Sequence, residues 1–284
     1  MPTGLPWLVL LILLGYGVVA VVRYMWFWQA REVPFYAGGK KLYLAHRGVS
    51  SEAPENTLPA FLAAFSSGLD GIELDVMKTA DDEIVVIHDH DLERITDGSG
   101  YVWETTYEDL ARLNAAHHWH GTHPPTPIPR LEDVLKILPP QMVINIEVKT
   151  RHWFTPGLEK RVVQLVRRYH LVKRTIISSF NPFSLLKVRW LEPEVAIGFI
   201  WRDTLVPWYL RRPYLVNLVH PDLLHPHDAV VTPQVVTKAH RRGMRVNVWT
   251  VNNQPMIQYL ESIGVDGIFT DFPELVLRDG KSSS

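Results

Sequence analysis

The chain changes character after its first two dozen residues. From Leu5 to Val22 every position is apolar or glycine except Tyr16, and no charge appears until Arg23. Such a run has no polar face, so it does not read as a surface helix of a globular domain. As a helix, about eighteen residues span roughly 27 Å, close to the ~30 Å hydrocarbon core of a bilayer. Trp7 stands at one end and Tyr24, Trp26 and Trp28 at the other, where aromatic residues favour a membrane interface. Residues 1–28 are therefore expected to form a transmembrane anchor. A cleaved signal peptide would want basic residues before the run and a small-x-small site after it, and neither is present. The nearby cations Arg23, Arg31, Lys40 and Lys41 all follow the run, so a single span with the remainder on the cytoplasmic side is expected. Residues 29–41, with Pro34 and Gly38-Gly39, read as a short linker. Fully extended, they reach at most about 45 Å, so the body stays near the lipid.

From residue 42 the pattern alternates. β-rich apolar runs at Leu42–Ala45, Gly71–Val76, Ile84–Ile87, Val143–Val148, Thr175–Ser178, Val195–Ile200, Arg245–Thr250 and Gly267–Thr270 predict strands. Between them, helical spacing predicts helices over Thr57–Phe65 (with Asn56 as N-cap), Leu131–Leu138, Leu158–Tyr169, Leu185–Trp190, Gln234–Arg242 and Met256–Ile263. Gly243 and Gly264 close the last two, as residues just past helix ends often do. This rhythm predicts an α/β fold with a parallel sheet. Sustained over residues 42–278, it predicts a closed (β/α)8 TIM barrel, with a doubly wound open sheet as the alternative. Only seven residues separate Val76 from Ile84, too few for a crossover helix, so that piece is expected to be a tight excursion at the rim. Residues 279–284 read as a flexible tail.

Composition narrows the chemistry. There is no cysteine, which excludes disulfides, thiolate metal sites and a cysteine nucleophile. A formal net charge of −1 gives no reason to expect nucleic acid as a partner, and no protein partner is inferred.

The informative polar residues fall where strands end, which in a barrel is where active sites lie. They are His46-Arg47-Gly48, Glu73-x-Asp75, His88-Asp89 and Glu147-x-Lys149. Carboxylates two apart on a strand share a face. Barrel strands bury both faces, so unpaired carboxylates there cost several kcal/mol. A divalent cation would compensate, and Glu73, Asp75 and Glu147 offer oxygen ligands suited to Mg²⁺ or Ca²⁺ without choosing between them. Two histidines suit general acid and base roles, and Arg47 and Lys149 suit a phosphate anion. Singly, each has a bland reading, such as a structural ion pair for either carboxylate or a solvated strand end for Lys149. Their recurrence at four successive strand ends is harder to explain so.

Taken with Glu55-Asn56-Thr57, Ser178-Ser179-Phe180, Trp249-Thr250-Val251-Asn252, Gly264-Val265-Asp266-Gly267 and Thr270-Asp271, this series resembles the signature of the glycerophosphodiester phosphodiesterase family over Leu42 to Leu275. The resemblance implies a barrel, one divalent cation, and cleavage of glycerophosphodiesters to glycerol 3-phosphate and an alcohol. It implies metal ligation by Glu73, Asp75 and Glu147, and an acid/base pair in His46 and His88, with their individual roles open. It also implies phosphate binding by Arg47 and Lys149, a supporting place for Glu55 beside Arg47 or the metal, and a pocket wall at Trp249. Lysophospholipase D action on membrane lysophospholipids, a phospholipase C of similar chemistry and a silent phospho-ligand-binding module remain as alternatives.

Two further clusters carry less. His117, His118, His120 and His123 match no metal spacing and read better as part of a substrate-side loop. Trp208, Tyr209, Arg211, Arg212 and Tyr214 would suit a membrane surface but fit an ordinary barrel loop as well.

Overall fold

The computed structural model describes residues 5–153, 156–204 and 215–277. The tail at 279–284 and the aromatic and arginine cluster at 208–214 lie outside the described residues.

A 22-residue helix, α1 (Leu5–Trp26), precedes the body. The body then runs β1 (Leu42–Ala45), α2 (Leu58–Ser67), β2 (Gly71–Lys78), β3 (Ile84–Val86), α3 (Tyr107–Leu110), α4 (Leu131–Ile137), β4 (Val143–Val148) and α5 (Leu158–Arg168). It continues through β5 (Thr175–Ser179), α6 (Pro182–Leu191), β6 (Ala196–Trp201), α7 (Val216–Val219), β7 (Leu223–Pro226), α8 (Pro233–Arg241), β8 (Arg245–Val248), α9 (Gln254–Ser262) and β9 (Gly267–Thr270).

Eight of the nine strands form a closed parallel barrel in the order β1-β2-β4-β5-β6-β7-β8-β9, with β9 returning to β1 through Leu42↔Gly267 to Ala45↔Thr270. Closure settles the choice between barrel and open sheet in favour of the TIM barrel. The run at Ile84 is the tight excursion that its short spacing predicts: β3 pairs antiparallel with β2, Lys78 opposite Ile84, as a hairpin at the rim. The strand expectations are one short. The eighth parallel strand is β7, which the apolar pattern did not single out.

Local sequence explains the helix starts. Asn181, Thr232 and Asn253 each accept a backbone N–H from the first turn of α6, α8 and α9, and each is followed within two residues by proline, which lacks the N–H a first turn leaves unpaired. At α2 the expected cap is wrong. Thr57 occupies the cap position, while Asn56 turns away with φ +58° and directs its side chain into the barrel.

Buried side chains form one layer between strands and helices and a second inside the barrel, the latter including Leu42, Leu44, Ile176, Leu223 and Phe269. The interior layer also contains Val33 and Tyr36. The stretch expected as a short linker is folded against the barrel floor, the end from which the strands start. A short 3₁₀ turn, Pro34–Gly39, carries Tyr36 fully buried into that floor, where its hydroxyl meets the Asn247 side chain at 2.8 Å.

Candidate active site

The C-terminal ends of the strands gather the acidic residues. Glu73 and Asp75 point inward from β2 and Glu147 from the neighbouring β4, with Asp75 in register with Glu147. One oxygen from each lies within 4.8 Å of the others, and among the described residues these three are the only such metal-competent group. Their surroundings are polar but insufficient. Asp75 is fully buried, accepting from Asn56 Nδ2 at 2.9 Å and facing Lys149 Nζ at 3.3 Å and Arg47 Nε at 3.4 Å. Burial pushes its carboxyl up, but Lys149 and Arg47 outweigh that and hold it well below the usual range. Glu73 is pushed the other way. Burial, with Asp75 and Glu147 as close anions, raises it well above an ordinary glutamate, although the Arg47 N–H donates to it at 2.9 Å. One carboxylate of the three is therefore uncomfortable as an anion without further positive charge. Hard oxygen donors in excess of their counter-charges fit a divalent cation.

The loop after β1 supplies the cations by an unusual backbone. Arg47 has φ +57° and Gly48 φ +79°. A side chain on Gly48 would meet the Ala60 backbone at 2.6 Å, so only glycine lets the loop lie this close to α2. The turn aims the Arg47 N–H at Glu73 while its guanidinium reaches Glu55 at 3.0 Å. Glu55 also accepts from Arg94 at 2.8 Å. It therefore stands beside Arg47, not in the acidic triad. Lys149 bridges Glu147 at 3.0 Å and Asp75. These neighbouring anions overcome burial and raise its pKa.

His46 and His88 flank this group, each backed by a carboxylate. His46 Nδ1 lies 2.8 Å from Asp271 Oδ1, and Asp271 also accepts from Ser50 Oγ and Asn252 Nδ2. His88 Nδ1 contacts Asp89, which Arg94 grips from the other side. A carboxylate on Nδ1 favours the tautomer with that nitrogen protonated and leaves Nε2 as the working nitrogen. Trp249 walls a small cavity of about 20 Å³ that it shares with His46, Glu73, Glu147 and His225, and anchors its indole by donating to His225 O at 2.8 Å. All nine residues singled out from the sequence thus converge on one end of the barrel. Asp89, Arg94 and Asn56 complete their packing, as does Asp271. Asp271, Asp89 and Asn56 stood within recognised motifs without a function attached, and Arg94 carried no signal at all.

In the histidine-rich segment, Trp119 donates to Ser50 O at 3.4 Å, bringing this excursion over the loop after β1. His117, His118 and His120 are exposed and His123 contacts Pro124 O and Thr126. Nothing gathers them around a metal.

Comparison with known proteins matches residues 46–275 to the glycerophosphoryl diester phosphodiesterase family. The chain belongs to that family. It is 35% identical over 241 residues to a glycerophosphodiester phosphodiesterase of Caldanaerobacter subterraneus, covering 84% of this chain and 97% of the relative. A second, from Bacillus altitudinis, is 36% identical over 237 residues, covering 82% and 96%. Among solved structures, a phosphodiesterase from Oleispira antarctica in complex with the product sn-glycerol-3-phosphate is similar with a TM-score of 0.69 at 29% identity, covering 82% of this chain and 93% of that one. The chain is a phosphoric diester hydrolase of the glycerophosphodiester phosphodiesterase type. α1 lies wholly outside the matched region.

Proposed function

We propose that this glycerophosphodiester phosphodiesterase hydrolyses its diesters to glycerol 3-phosphate and an alcohol by metal-assisted acid–base chemistry on the residues above. The observation that carries this reading is the acidic triad flanked by two carboxylate-backed histidines. Glu73, Asp75 and Glu147 hold the cation, Mg²⁺ or Ca²⁺. When bound, the cation offsets charge on the phosphoryl oxygens. Arg47 and Lys149 bind the same phosphate; Glu55 keeps the Arg47 guanidinium in place. Trp249 forms the wall against which the glycerol lies.

The glycerol hydroxyl adjacent to the phosphorylated oxygen attacks phosphorus in line. One of His46 and His88 removes its proton, and the other protonates the departing alcohol oxygen. The P–O bond to the alcohol breaks as the ring closes, giving a cyclic phosphate. Water then opens the ring with the two histidines exchanging roles, releasing glycerol 3-phosphate. The Oleispira antarctica relative, with glycerol 3-phosphate as its product, supports this outcome.

The reading is tested by giving the purified full chain glycerophosphocholine with and without chelator, then adding back Mg²⁺ or Ca²⁺, and identifying the products. Glycerol 3-phosphate and choline, lost on chelation and restored by metal, are expected. Full activity of the Glu73→Ala/Asp75→Ala double variant would falsify the metal site. A second reading, lysophospholipase D action, is favoured by one observation, an N-terminal helix long and apolar enough to cross a membrane. Lysophosphatidylcholine offered beside glycerophosphocholine separates the two.

A further inference from the structure

The segment joining α1 to the barrel is not a free tether. Its contacts follow one another along the chain, and all fall on the barrel floor. Tyr24 donates from its hydroxyl to Leu218 O at 2.8 Å. The Trp28 ring stacks on His220, 4.6 Å between centroids, and its indole N–H reaches Asn217. The Ala30 N–H donates to Arg242 O at 2.7 Å. Arg31 grips the buried carboxylate of Asp222 with two bonds, 3.1 and 2.8 Å. Tyr36 then plugs the interior. Leu218 and His220 precede β7, and Arg242 precedes β8, so every contact is at the end where strands begin. The catalytic residues are at the other end. Nothing between Tyr24 and Tyr36 is left as a hinge.

α1 itself is unburied from Val9 to Trp26 and touches the barrel only near its C-terminal end. Where it meets the floor, the Arg242 guanidinium packs over the Trp28 ring, and Arg23 and Arg241 are exposed, neither in an ion pair among the described residues. Together with Tyr24 and Trp26 they make an aromatic and cationic collar, the composition that suits phospholipid headgroups at an interface.

We propose that the barrel sits floor-down on the membrane, its basic collar against anionic headgroups and its catalytic mouth facing the aqueous phase. This rests on the diesterase reading and separates its two substrate readings: water-soluble glycerophosphodiesters reach the mouth, and lysophospholipids lying in the same bilayer do not. The separation decides it. The barrel strands run from four to eight residues; at about 3.3 Å per residue and tilted as in a barrel, they carry the mouth roughly 10–20 Å from the floor. A lysophospholipid with its acyl chain in the bilayer cannot lift its phosphate that far.

Because the chain has no cysteine, a single introduced thiol reports one place. Two exposed positions bracket the barrel: Lys173 beside the floor ahead of β5, and His117 in the excursion near the mouth. Lys173→Cys and His117→Cys full-length chains are labelled with a donor fluorophore and reconstituted into vesicles of phosphatidylcholine with one quarter phosphatidylglycerol and a headgroup-labelled acceptor lipid. Stronger transfer from position 173 than from 117 is expected; equal or reversed transfer overturns the orientation. The same vesicles are given glycerophosphocholine outside, or lysophosphatidylcholine within the bilayer. Glycerophosphocholine is expected to turn over as fast as in detergent, and bilayer lysolipid at least tenfold slower. Equal rates overturn the substrate class. Hydrolysis of neither defeats the diesterase reading while leaving the transfer measurement to judge the orientation. Loss of residues 1–26 from the mature chain, read by mass, overturns the proposal outright.

Discussion

Asp271 and Asp89 do for the two histidines what neither imidazole can do alone. A free histidine divides between tautomers and turns about its χ angles; a carboxylate 2.8 Å from Nδ1 fixes both for His46. Under the proposed mechanism, replacing His46 or His88 by alanine removes a proton-transfer group; such steps are worth about 10²–10⁴-fold, so turnover is expected to fall by that order with folding intact. Asp271→Asn keeps the shape but can favour the wrong tautomer. A smaller fall in kcat with little change in KM, and a displaced pH profile, is expected. A variant that moves KM alone would show that Asp271 serves binding instead.

His225 presents a different residue-scale case. It is fully buried in β7 with its ring against Gly198, where an added Cβ would lie 2.6 Å away, and among the described residues no hydrogen-bond partner reaches its Nε2. Burial alone brings its pKa down to about 3. An unfolded histidine titrates near 6.5, so above that pH neither state carries the proton and the residue has no pH effect. As pH falls from about 6.5 toward 3 the unfolded chain takes up a proton that the folded chain refuses, and stability drops by up to about 1.4 kcal/mol per pH unit. His225→Gln has no such proton. Its melting temperature relative to wild type should rise steadily between pH 6.5 and 4.5, whatever the offset at neutral pH. A constant offset across that range would mean that the buried imidazole is protonated after all.

At the scale of elements, much of the barrel was legible and the exceptions have physical causes. Strands such as Ala196–Trp201 are continuous apolar runs because helices cover their outer face and the core fills the inner one. β7 reads Leu-Leu-His-Pro, too short and too mixed to stand out, and its identity comes from its neighbours β6 and β8. Ile84–Val86 has strand composition, but composition carries no direction, and only the hairpin with β2 makes it antiparallel. The linker is the largest departure. Its proline and glycines mark turns correctly, yet the same residues place Tyr36 where the barrel needs a floor. The site residues were legible because they sit at strand ends; Arg94, which ties Glu55 to Asp89, joins them only through folding of the excursion.

A prediction follows for that floor. A chain shortened to begin at Lys40 keeps every catalytic side chain but loses Tyr36, Trp28 and the Arg31–Asp222 pair. Removing a large buried aromatic side chain costs about 3–5 kcal/mol, so this chain should melt well below one that begins at Gln29. Tyr36→Ala in the full chain should reproduce most of the loss, and Tyr36→Phe much less, leaving only the Asn247 amide short of a partner. Equal melting temperatures for chains starting at 29 and at 40 would show that the segment is a tether after all.

For the whole molecule, the question is which side of the membrane the barrel occupies. Its answer rests on charge. The apolar helix is preceded by no lysine or arginine and followed by Arg23, Arg31, Lys40 and Lys41. Cations flanking a span are retained on the cytoplasmic side, so the barrel is expected inside the cell. Folding reinforces the choice. Arg31 is committed to Asp222 and Lys40 to Asp70, but Arg23 and Arg241 form no ion pair among the described residues at the exposed collar, where an anionic cytoplasmic leaflet would attract them. Moving the charge bias is then expected to move the protein. Arg23→Glu combined with two lysines inserted before Leu5 should send part of the population across, whereas the native chain should leave its barrel intact when protease is added to whole cells or spheroplasts and lose it only on lysis. Digestion of the native barrel without lysis would place the enzyme on the outer surface, and the diesters it meets would then be those outside the cell.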